Sequence, residues 1–202
     1  SVYIGTLGVC YGRGLHTSSN TTPGLWQLIE ILQEASRRGV TQVFMEISSQ
    51  GLEQHRVPCQ MFDQRAFTDL SAEHLDAHKT MQNYFDAKSK FFDSQYPIKN
   101  QHFQTYCLDR SSYFQVLESI SGQSVFSYGL KRNHSFVLSK PHYELGKSTF
   151  SLLNNSKSHS FEFPWTGFFN LENLTLILEI AISKGVSLEE LEKILPRLGA
   201  LP

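Results

Sequence analysis

Thr22-Pro-Gly-Leu-Trp-Gln-Leu-Ile-Glu-Ile-Leu-Gln-Glu-Ala-Ser-Arg-Arg-Gly39, running directly into Val40-Thr-Gln-Val-Phe-Met-Glu-Ile47, is the stretch that decides the fold. Thr22 reads as an N-cap with Pro23 at the first helical position, because proline's missing N–H costs nothing there. Leu25, Leu28, Ile29, Leu32 and Ala35 recur at helical spacing, and Gly39 stops the element behind Arg37 and Arg38. Val40 to Ile47 then reads as a buried strand, and Val2-Tyr-Ile-Gly-Thr-Leu-Gly-Val9 reads as another ahead of a polar loop with Gly12, Gly14 and Ser18 to Asn20. A helix between two apolar strands is a βαβ crossover, which predicts a parallel sheet.

The pattern continues outward. Arg65 to Thr68 reads as a short strand, Ser71 as a cap, and Thr80 as a second cap opening a helix to about Phe92. On that helix Met81, Tyr84, Phe85, Lys88, Phe91 and Phe92 share one side, whereas Lys90 falls among Asp86, Ala87 and Asp93. Lys88 is thus the lysine on the apolar stripe. From Ser124 to Trp165 the grain changes to Val125–Tyr128, Ser135–Leu138, Thr149–Leu153 and His159–Phe163, short alternating runs that predict a small antiparallel sheet. Asn170 to Lys184 reads as a helix stopped by Gly185, and the capping box Ser187-Leu-Glu-Glu190 opens another that Pro196 ends. The fold class expected is α/β: a three-layer, mainly parallel sheet flanked by helices, with a small antiparallel subdomain at about 124–165.

Bulk properties bound the function. With 202 residues the chain suits one well-buried core with a subdomain, and 40% hydrophobic residues make it globular. A formal net charge of −1 argues against a broad electrostatic grip on nucleic acid. Cys10, Cys59 and Cys107 form no CxxC pair, so neither a disulfide framework nor a thiolate zinc site is indicated and a reducing cytosol fits. The sequons at Asn20, Asn133, Asn154 and Asn173 are read as chance, since no signal peptide or membrane-length apolar run is seen. The abrupt, strand-like start without methionine is read as a cut from something longer.

Candidate chemistry gathers on Met45-Glu-Ile-Ser-Ser-Gln-Gly-Leu-Glu-Gln-His-Arg56, where an apolar strand drives into a carboxylate, two hydroxyls, a glycine and a cation. Open α/β sheets bind ligands beyond the carboxyl ends of their strands, so this reads as a crevice rim for metal and phosphate. Glu46 is the metal candidate, against an exposed acid pairing with Arg37, Arg38 or Arg56. His74 and His78, four apart, could share a helix face as in zinc hydrolases, although Leu75 stands where a zinc protease needs glutamate. The competing reading is one core and one surface histidine. Lys88 would repel a bound cation as an ammonium but hold it as a carbamate; with a reference pKa of ~10.4, burial among aromatics is what would make modification feasible. Its bland reading is a stem covering Tyr84 and Phe85. Asn20-Thr-Thr22 at a helix N-terminus, and Gln54 and Arg56 just beyond Ser48 and Ser49, are anion-binding candidates.

Gly5-Thr-Leu-Gly-Val9, Asn20-Thr-Thr-Pro23, Gly39-Val-Thr to Met45-Glu-Ile-Ser-Ser49, Gln54-His-Arg56, Phe67-Thr-Asp-Leu-Ser71 with His74-Leu-Asp76 and His78, Ala87-Lys88, and Gly167-Phe-Phe-Asn-Leu-Glu-Asn173, taken in that order, resemble the central ATP-binding domain of the Mur ligases, closest to the MurE type. The resemblance implies a domain that helps add the third amino acid, meso-diaminopimelate or L-lysine, to UDP-N-acetylmuramoyl-L-alanyl-D-glutamate through an acyl phosphate. It implies Mg²⁺ held by Glu46 and His74, with carbamylated Lys88 steadying a second ion. It places Thr21, Thr22, Ser48, Gln54 and Arg56 on the UDP-muramoyl dipeptide and Asn173 on the adenine of ATP. A cytoplasmic monomer with no membrane or nucleic-acid partner is expected.

Departures from the family pattern are Gln50 where a histidine is usual, Asp69 and Ala72 within the run before His74, and Ala77 and Lys79 where a tyrosine and a glycine flank the second histidine. A GxxxxGK[ST] phosphate loop is missing, and with it the flanking UDP-binding and C-terminal ligase domains, so the chain is expected to be a fragment inactive by itself. The competing functions are a nucleotide-sugar-binding paralogue without catalysis and a zinc hydrolase using His74 and His78.

Overall fold

The computed structural model describes residues 1–12, 14–58, 61–68, 70–71, 75–93, 104–122, 124–131, 133–154 and 157–198. They form two compact units, one of residues 1–62 and 70–99 and the other of 63–69 and 100–202.

In the first unit, β1 (Val2–Gly5) and β2 (Gly8–Cys10) pair antiparallel, so the single opening strand expected is a hairpin, with Gly5 opposite Gly8 across Thr6-Leu7. Gly8 has φ +117, and a Cβ there would lie 2.2 Å from the His16 carbonyl oxygen, which explains a glycine at the turn. β3 (Leu15–His16) adds a rung inside the expected loop, α1 (Leu25–Arg37) follows, and β4 (Val43–Met45) returns parallel to β1 with Val2 beside Val43. The crossover therefore holds, in the order β3-β2-β1-β4. Two expectations do not. Gly24, not Thr22, is the N-cap of α1, and no side chain caps it. β4 is short and lies at the sheet's edge, with Val43 43% and Phe44 48% exposed rather than buried.

The C-terminal stop of α1 is as expected: Arg38 is the C-cap, Gly39 has φ +70, and Gly39 and Val40 donate to Ser36 and Ala35. After β4 come α2 (Ser49–Glu53), α3 (Leu75–His78) and α4 (Met81–Ser89), the last continued by a 3₁₀ turn over Lys90–Phe92. Thr80 caps α4 by accepting from Asn83 N at 3.1 Å. Tyr84, Phe85, Phe91 and Phe92 are buried as the stripe predicted; Ala87, grouped with Lys90 on the solvated side, is buried too. The proposed Ser71 cap precedes residues outside those described.

The second unit carries β5 (Gln64–Phe67), β6 (Gln104–Leu108) and β7 (Val125–Tyr128) as a parallel sheet, with α5 (Phe114–Ser121) between the last two strands. β7 thus belongs to the parallel sheet, not to the antiparallel one, and β6 and α5 were not foreseen. The antiparallel sheet is β8 (Val137–Glu144), β9 (Lys147–Asn154) and β10 (Lys157–Phe163). Against it pack α6 (Phe168–Ser183) and α7 (Leu188–Ile194), whose Ser187–Glu190 capping box is present.

One face of α6 puts Leu171, Leu174 and Leu178 among Phe136, Leu138, Phe150, Leu152, Phe161 and Phe163 of the antiparallel layer. Another face sets Leu176 and Ile180 against Tyr106, Leu108 and Tyr128 of the parallel layer. A helix packed on two sides needs apolar residues around most of its circumference, which is why this segment lacks a polar half.

Candidate functional site

The first unit assembles most of the expected site. Ile4 lies beside Met45 in the β1–β4 ladder, and Glu46 N donates to the Ile4 carbonyl at 2.8 Å, which brings Glu46 next to Gly5. Tyr3 and Gly5 share one face of β1 because strand side chains alternate. Tyr3 Oη donates to Glu46 Oε1 at 2.6 Å, while Thr6 donates to Oε2 from its backbone N at 3.0 Å and from its hydroxyl at 2.7 Å. A Cβ on Gly5 would lie 2.3 Å from Tyr3 Oη and 2.7 Å from Glu46 Cδ, so this arrangement needs glycine there.

Partial burial pushes the Glu46 carboxyl up, but the three donors from Tyr3 and Thr6 outweigh it and hold the group below its ordinary value. Burial first, and then the bond to an anion, push the Tyr3 phenol up to about 12. Glu46 is exposed rather than buried, and Arg37 and Arg38 pair with Glu34 instead of with it. An ionised carboxylate fixed by neutral donors at a strand end suits a hard cation, for which oxygen is the preferred ligand.

Thr22 has a different task from the cap it was expected to be. Fully buried, its hydroxyl donates to the Glu46 carbonyl at 3.2 Å and accepts from Ser48 N at 2.8 Å, joining the start of α1 to the turn after β4. Thr21 Oγ1 lies 3.1 Å from Thr6 Oγ1. Ser48 caps α2 by accepting from Gly51 N at 3.0 Å, and a Cβ on Gly51 would come within 2.7 Å of Thr22 Cγ2. At the end of α2, His55 has φ +51, and the chain folds back so that Arg56 Nη1 donates to the Thr22 carbonyl at 2.9 Å. Arg56 Nε donates to Gln54 Oε1 at 2.9 Å, so the expected fork is presently engaged within the protein.

Of the remaining expected residues, Lys88 lies on α4 with Nζ 5.1 Å from the centre of the Tyr84 ring. His78 is 5% exposed, stacked on Tyr84, and shares a 2.8 Å hydrogen bond with Ser49 through Nε2. A buried imidazole so engaged is not presented to a zinc ion, which removes one of the two histidines of the hydrolase reading. His74, like Asp69 and Ala72, lies outside the described residues. Among the described residues no cluster of three or more His, Cys, Asp or Glu could hold a metal. Asn173 is in the second unit, exposed on the second turn of α6.

Tyr3 and Thr6 were not singled out from sequence, and Ser49 only as the second hydroxyl of the rim. A signal for Tyr3 was present: a glycine two residues after a tyrosine on one strand face leaves room for a side chain from the neighbouring strand. No helix among the described residues is long and apolar enough to cross a membrane.

A family model described as the Mur ligase middle domain matches residues 1–181. The UDP-N-acetylmuramoyl-L-alanyl-D-glutamate--L-lysine ligase of Staphylococcus aureus (strain MW2) is 30% identical over 193 residues, which are 96% of this chain and 39% of that protein. Its counterpart in Staphylococcus haemolyticus (strain JCSC1435) is 27% identical over 198 residues, 98% of this chain and 40% of that one. Among solved structures, a UDP-N-acetylmuramoyl-L-alanyl-D-glutamate--2,6-diaminopimelate ligase superposes with a TM-score of 0.82 at 26% identity, over 100% of this chain and 41% of that one. The chain thus spans about two fifths of the length of the curated relatives it matches.

Proposed function

The chain belongs to the Mur ligase middle-domain family, and from that premise we propose that it is the central part of a MurE-type ligase. The parent would join a diamino acid, L-lysine or 2,6-diaminopimelate, to UDP-N-acetylmuramoyl-L-alanyl-D-glutamate at the expense of ATP in the bacterial cytoplasm. The observation that carries this reading is the exposed, ionised Glu46 held by Tyr3 and Thr6 beside the Thr21, Thr22 and Ser48 turn.

In this reading the dipeptide's anionic groups meet Thr21, Ser48 and the Gln54–Arg56 pair, with Arg56 releasing Gln54 to form a bidentate contact. Thr22 works from below: it holds Ser48 N and the Glu46 carbonyl and thereby fixes the spacing between the substrate turn and the carboxylate. Asn173 contacts the adenine. Mg²⁺ held by Glu46 and His74, with a second ion steadied by a carbamylated Lys88, would neutralise charge on the transferring phosphoryl group. Glu46 fits that role because it is ionised and its fixed partners are neutral; Lys88 fits it only as a carbamate, since an ammonium would oppose the ion. The substrate's carboxylate attacks the terminal phosphorus of ATP, ADP leaves, and the incoming amine displaces phosphate from the acyl phosphate. Positioning and electrostatics carry such a step, with no covalent side chain required.

Complementation tests the reading. The parent gene should restore wall synthesis to a bacterium depleted of its own third-residue ligase; growth failure with the parent well expressed would favour a nucleotide-sugar-binding paralogue.

A further inference from the structure

We propose that His78 is a positioning residue that fixes Lys88 against the substrate turn; this rests on the reading above only in assigning Lys88 to the reacting site. The imidazole ends α3 and is directed at α2 through both nitrogens. Nε2 shares a 2.8 Å hydrogen bond with Ser49 Oγ at the first residue of α2, and Nδ1 lies 3.9 Å from Glu53 Oε1 at its last. Ser49 and His78 are 4% and 5% exposed, so their bond is shielded from water and each needs the other as a partner. The ring itself stacks on Tyr84, with centroids 4.9 Å apart and planes 17° from parallel.

Lys88 follows Tyr84 by one helical turn and lies over the same ring. Asn83 Nδ2 donates to the His78 carbonyl at 3.0 Å and Thr80 caps α4, so the backbone between His78 and the lysine helix is tied down at both ends. The chain of contacts therefore runs from Ser49, the neighbour of Ser48, through the imidazole and the phenol ring to Lys88. Phenylalanine at position 78 could supply the stacking face but not the bond to Ser49. Only a ring with a polar edge performs both tasks, which is why a histidine sits in an otherwise apolar contact.

Two variants of the full-length parent, His78→Phe and Ser49→Ala, each remove the bond while keeping a ring on Tyr84. In CO₂-depleted buffer, where Lys88 carries a free amine, acetylation by acetic anhydride, read residue by residue by peptide mass spectrometry, reports the placement of Lys88 with exposed Lys90 as internal control. In both variants the ratio of Lys88 to Lys90 labelling should change by about threefold or more. In ligation assays kcat should fall by about tenfold or more with KM for ATP little altered, since small misplacement acts on the chemical step. Should His78→Phe fail to fold, Ser49→Ala decides alone. A labelling ratio at the unsubstituted level in the folded variants would overturn the proposal, even if thermal stability dropped. An unsubstituted parent that makes no product while its labelling ratio still responds to Ser49→Ala would instead overturn the ligase reading and leave the positioning role standing.

Discussion

Two glutamates, one in each unit, are handled in opposite ways. Glu172 on α6 is 3% exposed and takes a two-pronged bond from Arg110, Nε to Oε1 at 2.7 Å and Nη2 to Oε2 at 2.9 Å, with the guanidinium also lying over Phe168. Glu46 at the end of β4 is exposed and accepts three hydrogen bonds from uncharged donors. Both carboxylates are satisfied as acceptors, but among the described residues only the first has its charge cancelled by a protein cation. A buried charge must be cancelled to exist at all. The solvent-facing carboxylate, held by neutral donors, is the feature on which the proposed cation site rests.

The largest effect expected from breaking this contrast is on the buried side. Arg110→Ala should destabilise the protein by about 2–3 kcal/mol in denaturant unfolding, below the full cost of stranding a buried charge because the Arg110 side chain is itself 36% exposed. Gly5→Ala comes next. Its Cβ can be accommodated only by moving the ends of Tyr3 and Glu46, so about 1–2 kcal/mol should be lost with the hydrogen bonds, and the parent's activity with them.

Smaller, but with a definite sign, is the pH dependence. Because the folded protein holds Glu46 below its ordinary value, its contribution to stability is fully present above the unfolded carboxylate pKa and is lost as pH falls through the folded one. Tyr3 contributes in the reverse sense: its share is intact below the unfolded value of 10.0 and lost as pH rises toward about 12. Glu46→Gln should lessen the acid-side slope, to which Glu34, Glu189 and Glu190 also contribute, and ultraviolet titration of Tyr3→Phe against the parent should show one late-ionising phenol missing.

The smallest effect concerns Lys79, which sits at φ +66 between α3 and α4. A left-handed backbone of this kind favours glycine over any side chain. Lys79→Gly should relieve about 1 kcal/mol of strain and return part of it as unfolded-chain entropy, a small net stabilisation visible as a raised thermal midpoint.

The elements legible in the sequence are those whose signal is local. The stop of α1 at Gly39, the Thr80 cap, the Ser187–Glu190 box and the stripe on α4 depend on neighbours within one turn, and each is present. What was not legible depends on partners far along the chain. Alternation in Val125–Tyr128 marks a strand but cannot say whether β6 or β8 lies beside it. Thr22 had the residue type and position of a cap, but its hydroxyl is taken by Glu46 and Ser48, 24 and 26 residues away. The candidate site followed the same division: Glu46, Ser48 and Lys88 stood out by position, whereas Tyr3, Thr6 and Ser49 matter through contacts that only the fold creates.

The proposed role of Glu46 in phosphoryl transfer is tested by the rate of ATP-dependent UDP-muramoyl tripeptide formation by the full-length parent and its Glu46→Gln variant. The parent should form measurable product and the variant should lose about a hundredfold or more in kcat, the scale seen when a group stabilising transition-state charge is removed. A folded Glu46→Gln enzyme that turns over at the parent's rate would contradict that role.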